Sequence, residues 1–369
     1  MALTGDFLDA THKVALGDAG LSLFEGVPFV ETHFLTDQAP RHDDPASRER
    51  LYSLEVAPEQ IEGVNGLIVL RPRVRSRVFE RGADDLIVIG RSGAGYDKID
   101  VAACTANDVA LFNAPTALNH STASAALLLM LALSKRLMPQ VDIARRGRWD
   151  LQARVTGNEL QGRTLGIIGL GRSGRELARL VAPFEMRLFA YSPRAEASEA
   201  EALGVILMPL EAVLRESDFV SIHCRLTPET RHLIGAAQLN LMKRTAFIIN
   251  IARGEILDHK ALVNSLREHR IAGAGLDVFE VEPLPAGDPL LSLPNVIATP
   301  HWLASTHEVW EATGRAMASG ILRAARGLEP LEVVNPEVLD RPGFRAKLAR
   351  FAENAAGDPD PTAEGSCLF

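Results

Sequence analysis

The run Gly169-Leu170-Gly171-Arg172-Ser173-Gly174 constrains this chain more than any other segment. An apolar stretch from Thr164 to Leu170 reads as a strand before it, and Arg172 to Val181 reads as a helix after it, closed by Pro183. Each glycine has its own physical task. The first permits a tight strand-to-helix turn, the second lets backbone approach a pyrophosphate, and the third lets helix and strand pack closely. Phosphate then meets the helix N-terminus, where unbonded N–H groups and the helix dipole favour negative charge. The spacing alone is common; the strand before it and the helix after it make it a dinucleotide-binding turn.

Around this turn, strands alternate with helices. Arg187 to Tyr191, Asp218 to His223, Thr245 to Asn250, Gly275 to Phe279 and Asn295 to Thr299 read as further strands, with helical stretches such as Lys260 to His269 between them. That alternation predicts an α/β fold with a parallel, doubly wound sheet. Upstream, Gly66 to Leu70 and Leu86 to Gly90 read as buried strands, the second leading into the small-residue loop Arg91-Ser92-Gly93-Ala94-Gly95. Such a loop lets a ligand reach the backbone. The segment before Glu62 shows no clear period. Ser121 to Arg136, dense in Ala and Leu, predicts a helix apolar nearly all round, hence buried between domains or in a dimer interface. After about Arg350 the chain is rich in Ala, Gly, Pro and acid and reads as disordered.

With 39 basic against 47 acidic residues the net charge is −8, which gives no general pull toward nucleic acid or anionic membranes. Cys104, Cys224 and Cys367 lie far apart without metal-ligand spacing, so they read as reduced thiols and no metal is expected. The apolar run Ala125 to Leu133 is too short to cross a bilayer. No basic stretch followed by an apolar run opens the chain, and the expected location is the cytoplasm.

The strand after the glycine turn ends in Tyr191-Ser192-Pro193-Arg194. A dinucleotide site selective for NAD carries an acid about 20 residues after the turn, where it accepts from the ribose 2′-OH. Here Ser192 stands in that region, Arg194 follows, and Arg225 is a further cation for the adenosine end. Without a carboxylate a 2′-phosphate is not repelled, and a guanidinium can pair with one. The arginines are either such partners or solvated surface charges, so the cofactor is NAD or NADP.

In open α/β sheets, ligands bind beyond the carboxyl ends of the strands. Three chemistry-bearing residues fall there: Arg253 after one strand, Glu282 after the next and His301 after the third. Arg253 suits a substrate carboxylate with an adjacent oxygen, because its fork donates along two parallel directions. His301 suits proton transfer at that oxygen. Glu282 can orient the imidazole and favour its charged form, although the sequence alone does not show that the two meet.

Gly162 to Gly174, Asn250-Ile251-Ala252-Arg253-Gly254, Gly275 through Pro283 and Thr299-Pro300-His301 together resemble the D-isomer-specific 2-hydroxyacid dehydrogenases, in order and spacing, from about Gly66 to about Pro336. The resemblance implies two Rossmann-like domains, the nucleotide domain inserted into the substrate domain, with the active site in the cleft between them. Residues 1–112 and 302–340 then form the substrate-binding domain, 113–301 the NAD(P)-binding domain and 341–369 a partly disordered tail, with Val309 to Arg326 as the returning helix. It implies Arg253, Glu282 and His301 as the catalytic residues. The cofactor would be bound by Gly169, Gly171, Arg172, Ser173, Gly174, Ser192, Arg194, Cys224, Arg225, Ile251, Ala252, Asp277 and His301, with Asp277 near the nicotinamide carboxamide. The substrate would be bound by Ser92, Gly93, Ala94, Gly95, Arg253 and His301. Departures are Ser124 where an acid is frequent, Ser192, Arg225 where proline is common, and Trp302 where a smaller aliphatic is common.

The expected activity is hydride transfer between NAD(P)H and a small 2-oxo acid or D-2-hydroxy acid, of the glyoxylate/hydroxypyruvate reductase or short phosphoglycerate dehydrogenase kind. The other reading is a dinucleotide-sensing interaction protein of the corepressor type with little turnover. Expected partners are the small substrate and a second copy of the chain, with neither nucleic acid nor membrane.

Overall fold

The computed structural model describes residues 1–41, 44 and 46–352. The chain divides into two compact units, Met1–Leu118 with the chain from Thr306 onward, and Asn119–Ser305. The resemblance places these boundaries after 112 and 301, a few residues earlier in each case.

The first unit holds a parallel five-stranded sheet in the order β2-β1-β3-β4-β5. Its strands are β1 (Ala2–Thr4), β2 (His33–Leu35), β3 (Gly66–Val69), β4 (Val88–Arg91) and β5 (Ala110–Asn113). Leu3, Leu67, Ile68, Ile89 and Leu111 are almost completely enclosed, each contributing about 1.5–3 kcal/mol of apolar burial. The helix Val101–Ala106 starts at Asp100, whose side chain accepts from the Ala103 N–H. The returning helix is His307–Ala324, capped by Thr306 in the same way. Packed chain continues past the expected limit at 340: the helix Pro342–Ala349 buries Phe344 and Leu348 in this unit's core. Of the tail read as disordered, residues 353–369 lie outside the described residues, Cys367 among them.

The second unit holds a parallel seven-stranded sheet in the order β12-β11-β10-β9-β6-β7-β8. Its strands are β6 (Thr164–Ile168), β7 (Arg187–Tyr191), β8 (Val205–Leu207), β9 (Phe219–Ile222), β10 (Phe247–Asn250), β11 (Gly273–Leu276) and β12 (Val296–Ala298). Strand order reverses at β6, between β9 and β7, which is where doubly wound sheets open a ligand crevice. The strand read at Gly275 to Phe279 is shorter and earlier than expected. β11 ends at Leu276, not Phe279, because the chain turns out of the sheet once the Asp277 N–H has bonded the Asn250 carbonyl.

The apolar helix spans Asn119–Ser134 and packs against the Arg172–Val181 helix, β10 and β11. It is not enclosed on every side, since Leu128 is half exposed. Arg136, in the left-handed region at φ 52°, separates it from a second helix, Leu137–Arg145. Pro139 lies in the first turn of that second helix, where its missing N–H breaks no helical bond. Among the described residues, no single helix is long and apolar enough to cross a membrane.

Candidate active site

The glycine turn follows β6 at the point where strand order reverses. Gly169 has φ +99°, and a Cβ there would lie 2.6 Å from the Cys224 backbone nitrogen, so a side chain is excluded both by conformation and by the chain leaving β9. A Cβ at Gly174 would lie 2.3 Å from the Gly169 carbonyl oxygen, so the third glycine seats the helix on the turn. A Cβ at Gly171 would meet nothing within 4 Å. Gly171 is also the N-cap of the Arg172–Val181 helix and supplies no side-chain cap, unlike Asp258 and Thr306 at other helix starts. An open face before an uncapped helix N-terminus fits a dinucleotide diphosphate. Arg172 and Ser173 are the first two residues of that helix.

Just past β7, Ser192 is half-buried and Arg194 is exposed. Arg194 acts electrostatically on Glu229, helping the Thr227 hydroxyl hold that carboxyl below its usual range. Arg225 is exposed, and its carbonyl accepts from the Thr230 hydroxyl at 2.7 Å. Cys104 and Cys224 are free thiols, pushed up by burial to about 12 and about 11 respectively.

Strands β10, β11 and β12 run in register, with Asn250 beside Leu276 and Leu276 beside Ala298. Beyond these three ends stand the expected trio. The Asn250 side chain accepts from the Ala252 N–H at 3.1 Å and donates to the Arg253 carbonyl at 2.8 Å, folding the Ile251–Arg253 loop around itself. Ile251 is buried, while Ala252 and Arg253 are half-buried. Arg253 Nη1 donates to the Ala252 carbonyl at 2.8 Å. Next in the chain, Gly254 presses on the Glu282 segment: a Cβ on it would lie 1.8 Å from the Phe279 carbonyl carbon. Only glycine lets those two backbones touch.

Glu282 accepts from the Phe279 N–H at 3.0 Å, and its two oxygens lie 3.0 and 2.8 Å from His301 Nδ1. The contact that the sequence left open is therefore present. With Nδ1 donating to the carboxylate, Nε2 is the nitrogen left to exchange a proton. Its side chain is 39% exposed. His301 itself sits at φ +53°, an uncommon conformation for a residue with a side chain. Asp277 holds it there. This carboxylate is buried and accepts from the Thr299 hydroxyl at 2.6 Å, from the Trp302 N–H at 3.1 Å and from the Leu303 N–H at 3.1–3.2 Å. The charge is thus satisfied by the turn that carries the histidine.

In the first unit, the Ser92–Gly95 loop leaves β4. Ser92 N–H donates to the Val69 carbonyl at 2.8 Å and the Asn113 side chain donates to the Ala94 carbonyl at 2.6 Å. Gly93, at φ +132°, lies under the Arg91 guanidinium, which donates to the Ser92 carbonyl.

Comparison with known proteins bears on this geometry. The family model described as "D-isomer specific 2-hydroxyacid dehydrogenase, NAD binding domain" matches residues 127–302. A glyoxylate reductase of Korarchaeum cryptofilum is 39% identical over 327 residues, covering 87% of this chain and 96% of that one. The chain belongs to the D-isomer-specific 2-hydroxyacid dehydrogenases. A D-3-phosphoglycerate dehydrogenase of Methanocaldococcus jannaschii is 40% identical over 306 residues, 80% of this chain but only 58% of that protein. A solved glyoxylate reductase from Paecilomyes thermophila is similar with a TM-score of 0.76 at 27% identity, covering 91% of this chain and 98% of the other.

This D-2-hydroxyacid dehydrogenase is an enzyme that uses NAD or NADP. The Ser124 hydroxyl, where the resemblance suggested an acid, donates to the Ser121 carbonyl at 3.0 Å. Sequence reasoning did not single out His223, Asn250, Gly254 or Thr299. Asn250 and Thr299 carried a usable signal, since polar residues at strand ends commonly bond the loop that follows. For His223 the resemblance marks only the stretch Ser221 to Thr227, implied to line the adenosine side; its bonds to Ser221 and to Ser173, the second distant in the sequence, are not visible there.

Proposed function

We propose that this dehydrogenase reduces a small 2-oxo acid to the D-2-hydroxy acid, with glyoxylate and hydroxypyruvate as the leading substrates. The double contact between Glu282 and His301 Nδ1 carries this reading, because it leaves one imidazole nitrogen for proton transfer. Named relatives that reduce glyoxylate support the substrate class. The balanced reaction is 2-oxo acid plus NAD(P)H plus a proton, giving D-2-hydroxy acid plus NAD(P)⁺.

Bound nicotinamide supplies or accepts the hydride at C2. His301 Nε2 gives its proton to the C2 oxygen during reduction and takes it back in oxidation. Glu282 keeps the ring in one orientation and stabilises the imidazolium formed on oxidation. Arg253 binds the substrate carboxylate and polarises the C2 oxygen through its forked donors. Asp277 fixes the turn bearing His301, and Trp302 beside it limits the size of the substrate side chain.

Ser192 and Arg194 support acceptance of NADPH as well as NADH. Exposed Leu128, Leu137, Met138 and Trp149, close together in the sequence, support a homodimer formed through this region. The test is loss of NADH and NADPH absorbance against a panel of 2-oxo acids. Turnover of glyoxylate or hydroxypyruvate is expected, and the absence of turnover on every acid with both cofactors overturns the reading.

A further inference from the structure

Three polar side chains beneath the glycine turn form a hydrogen-bonded chain that the reaction above does not use. Ser221 Oγ on β9 lies 2.9 Å from His223 Nε2, and His223 Nδ1 lies 3.1 Å from Ser173 Oγ. Ser173 is the second residue of the helix whose N-cap is Gly171. The imidazole is buried, and desolvation pushes it down to about 4, so it is neutral at ordinary pH.

A neutral imidazole has one N–H and one lone pair, so the two serines play opposite parts. Ser221 decides which. Its side chain is enclosed, and among the described residues its hydroxyl has no hydrogen-bond partner except Nε2. Were Nε2 to carry the hydrogen, the Ser221 O–H would be buried without an acceptor, at a cost of about 1–3 kcal/mol. Ser221 therefore donates to Nε2, and Nδ1–H donates to Ser173 Oγ. That bond occupies a lone pair of Ser173 and releases its proton outward, beside the open face of Gly171. In the opposite arrangement Ser173 would spend its proton on the ring and offer an anion only lone pairs.

We infer that His223 is a positioning residue of the cofactor site, which aims the Ser173 hydroxyl proton at the dinucleotide diphosphate. This rests on the glycine turn being the diphosphate site, as read above. The serine at this place thereby adds a directed side-chain donor to the backbone N–H groups of the helix start.

The test uses the full chain, with NADH and NADPH titrated by fluorescence and folding checked by circular dichroism. Ser173→Ala is expected to weaken dinucleotide binding about tenfold, the loss of one hydrogen bond to a charged group. His223→Leu should lose the same, and the double variant no more than either. His223→Asn, whose amide can donate toward Ser173, should recover most of the loss; should His223→Leu not fold, His223→Gln, with its amide one carbon farther out, takes its place in the cycle. Nitrogen-15 spectra of histidine-labelled protein should show His223 with its hydrogen on Nδ1, with and without cofactor.

Wild-type affinity in Ser173→Ala, losses that multiply in the double variant, or an Nε2–H tautomer in the complex each overturn the inference. Gly171→Val separates the two levels. If it still binds dinucleotide normally, the turn is not the diphosphate site; if it does not bind while Ser173→Ala binds with wild-type affinity, only the role of the Ser173–His223 pair fails.

Discussion

Glu282 grips His301 with both carboxylate oxygens, at 2.8 and 3.0 Å from Nδ1. One oxygen also accepts from the Phe279 N–H, so the carboxylate is itself held in place. Glu282→Gln keeps an acceptor but removes the charge that stabilises an imidazolium. We expect kcat to fall about 10–100-fold, and His301→Ala to fall further, by about 10²–10⁴, the usual worth of general acid–base help. Single-turnover absorbance at saturating cofactor measures both. A His301→Ala enzyme that turns over normally while chemistry limits the rate removes the histidine from the mechanism.

Arg253→Lys is expected to be a severe change despite its unchanged charge. A lysine ammonium is a point donor and cannot bond a carboxylate and its neighbouring oxygen along two parallel directions. The expected result is at least a 100-fold loss in kcat/KM for the 2-oxo acid. Near-normal values would show that the substrate anchor lies elsewhere.

Gly254→Ala tests whether the Arg253 and Glu282 segments must touch. The added methyl would lie 1.8 Å from the Phe279 carbonyl carbon, so backbone has to move. A displacement of an ångström in positioned groups costs about 10²-fold in rate. We expect a folded protein with kcat/KM reduced to that degree. Full activity at unchanged Tm would mean that the two loops can part without consequence.

Acid lability should trace partly to His223. Its folded value is about 4 against 6.5 when free, so between those limits the unfolded chain binds more protons than the folded one. Stability therefore rises with pH across about 4 to 6.5 and is lost on acidification through that window, by at most about 3–4 kcal/mol. Below it the slope from this group ends. Comparing Tm against pH for the wild type and His223→Asn should show a shallower slope in the variant. Identical slopes would assign the acid sensitivity to other groups, such as Glu176, whose carboxyl the hydrogen bond from His120 holds below its usual range.

The second unit was legible because its strands are apolar runs bounded by glycine, proline and asparagine, and because chemistry-bearing residues stand at their ends. The helix Arg172–Val181 and strand Arg187–Tyr191 fall where the sequence put them. The first unit was less legible. β1 and β2 are three-residue strands, too short to show a period, and they are recognisable only through parallel pairing, β1 with β3 and β2 with β1. The Pro342–Ala349 helix was hidden by a composition that resembles the tail beyond it, yet Phe344 is entirely enclosed. In the site, residue identities pointed to Arg253, Glu282 and His301, but local sequence could not show that Asp277 is committed to the turn around His301. That commitment depends on an N–H at Trp302 and another at Leu303, long after the aspartate in the chain.

The aligned ends of β10, β11 and β12 work as a ruler. A strand advances about 3.3 Å per residue and alternates faces, so one residue inserted within any of the three would carry its catalytic side chain that far and turn it to the opposite face. Insertions in the connections before those strands leave the marks on the ruler untouched. Length variation in this enzyme should therefore be tolerated in the exposed turns Glu268–Arg270 and Pro285–Gly287, away from the strands and from the loops that carry Arg253 and Glu282. Within a strand, a single added residue should be as damaging as losing the arginine, the glutamate or the histidine outright.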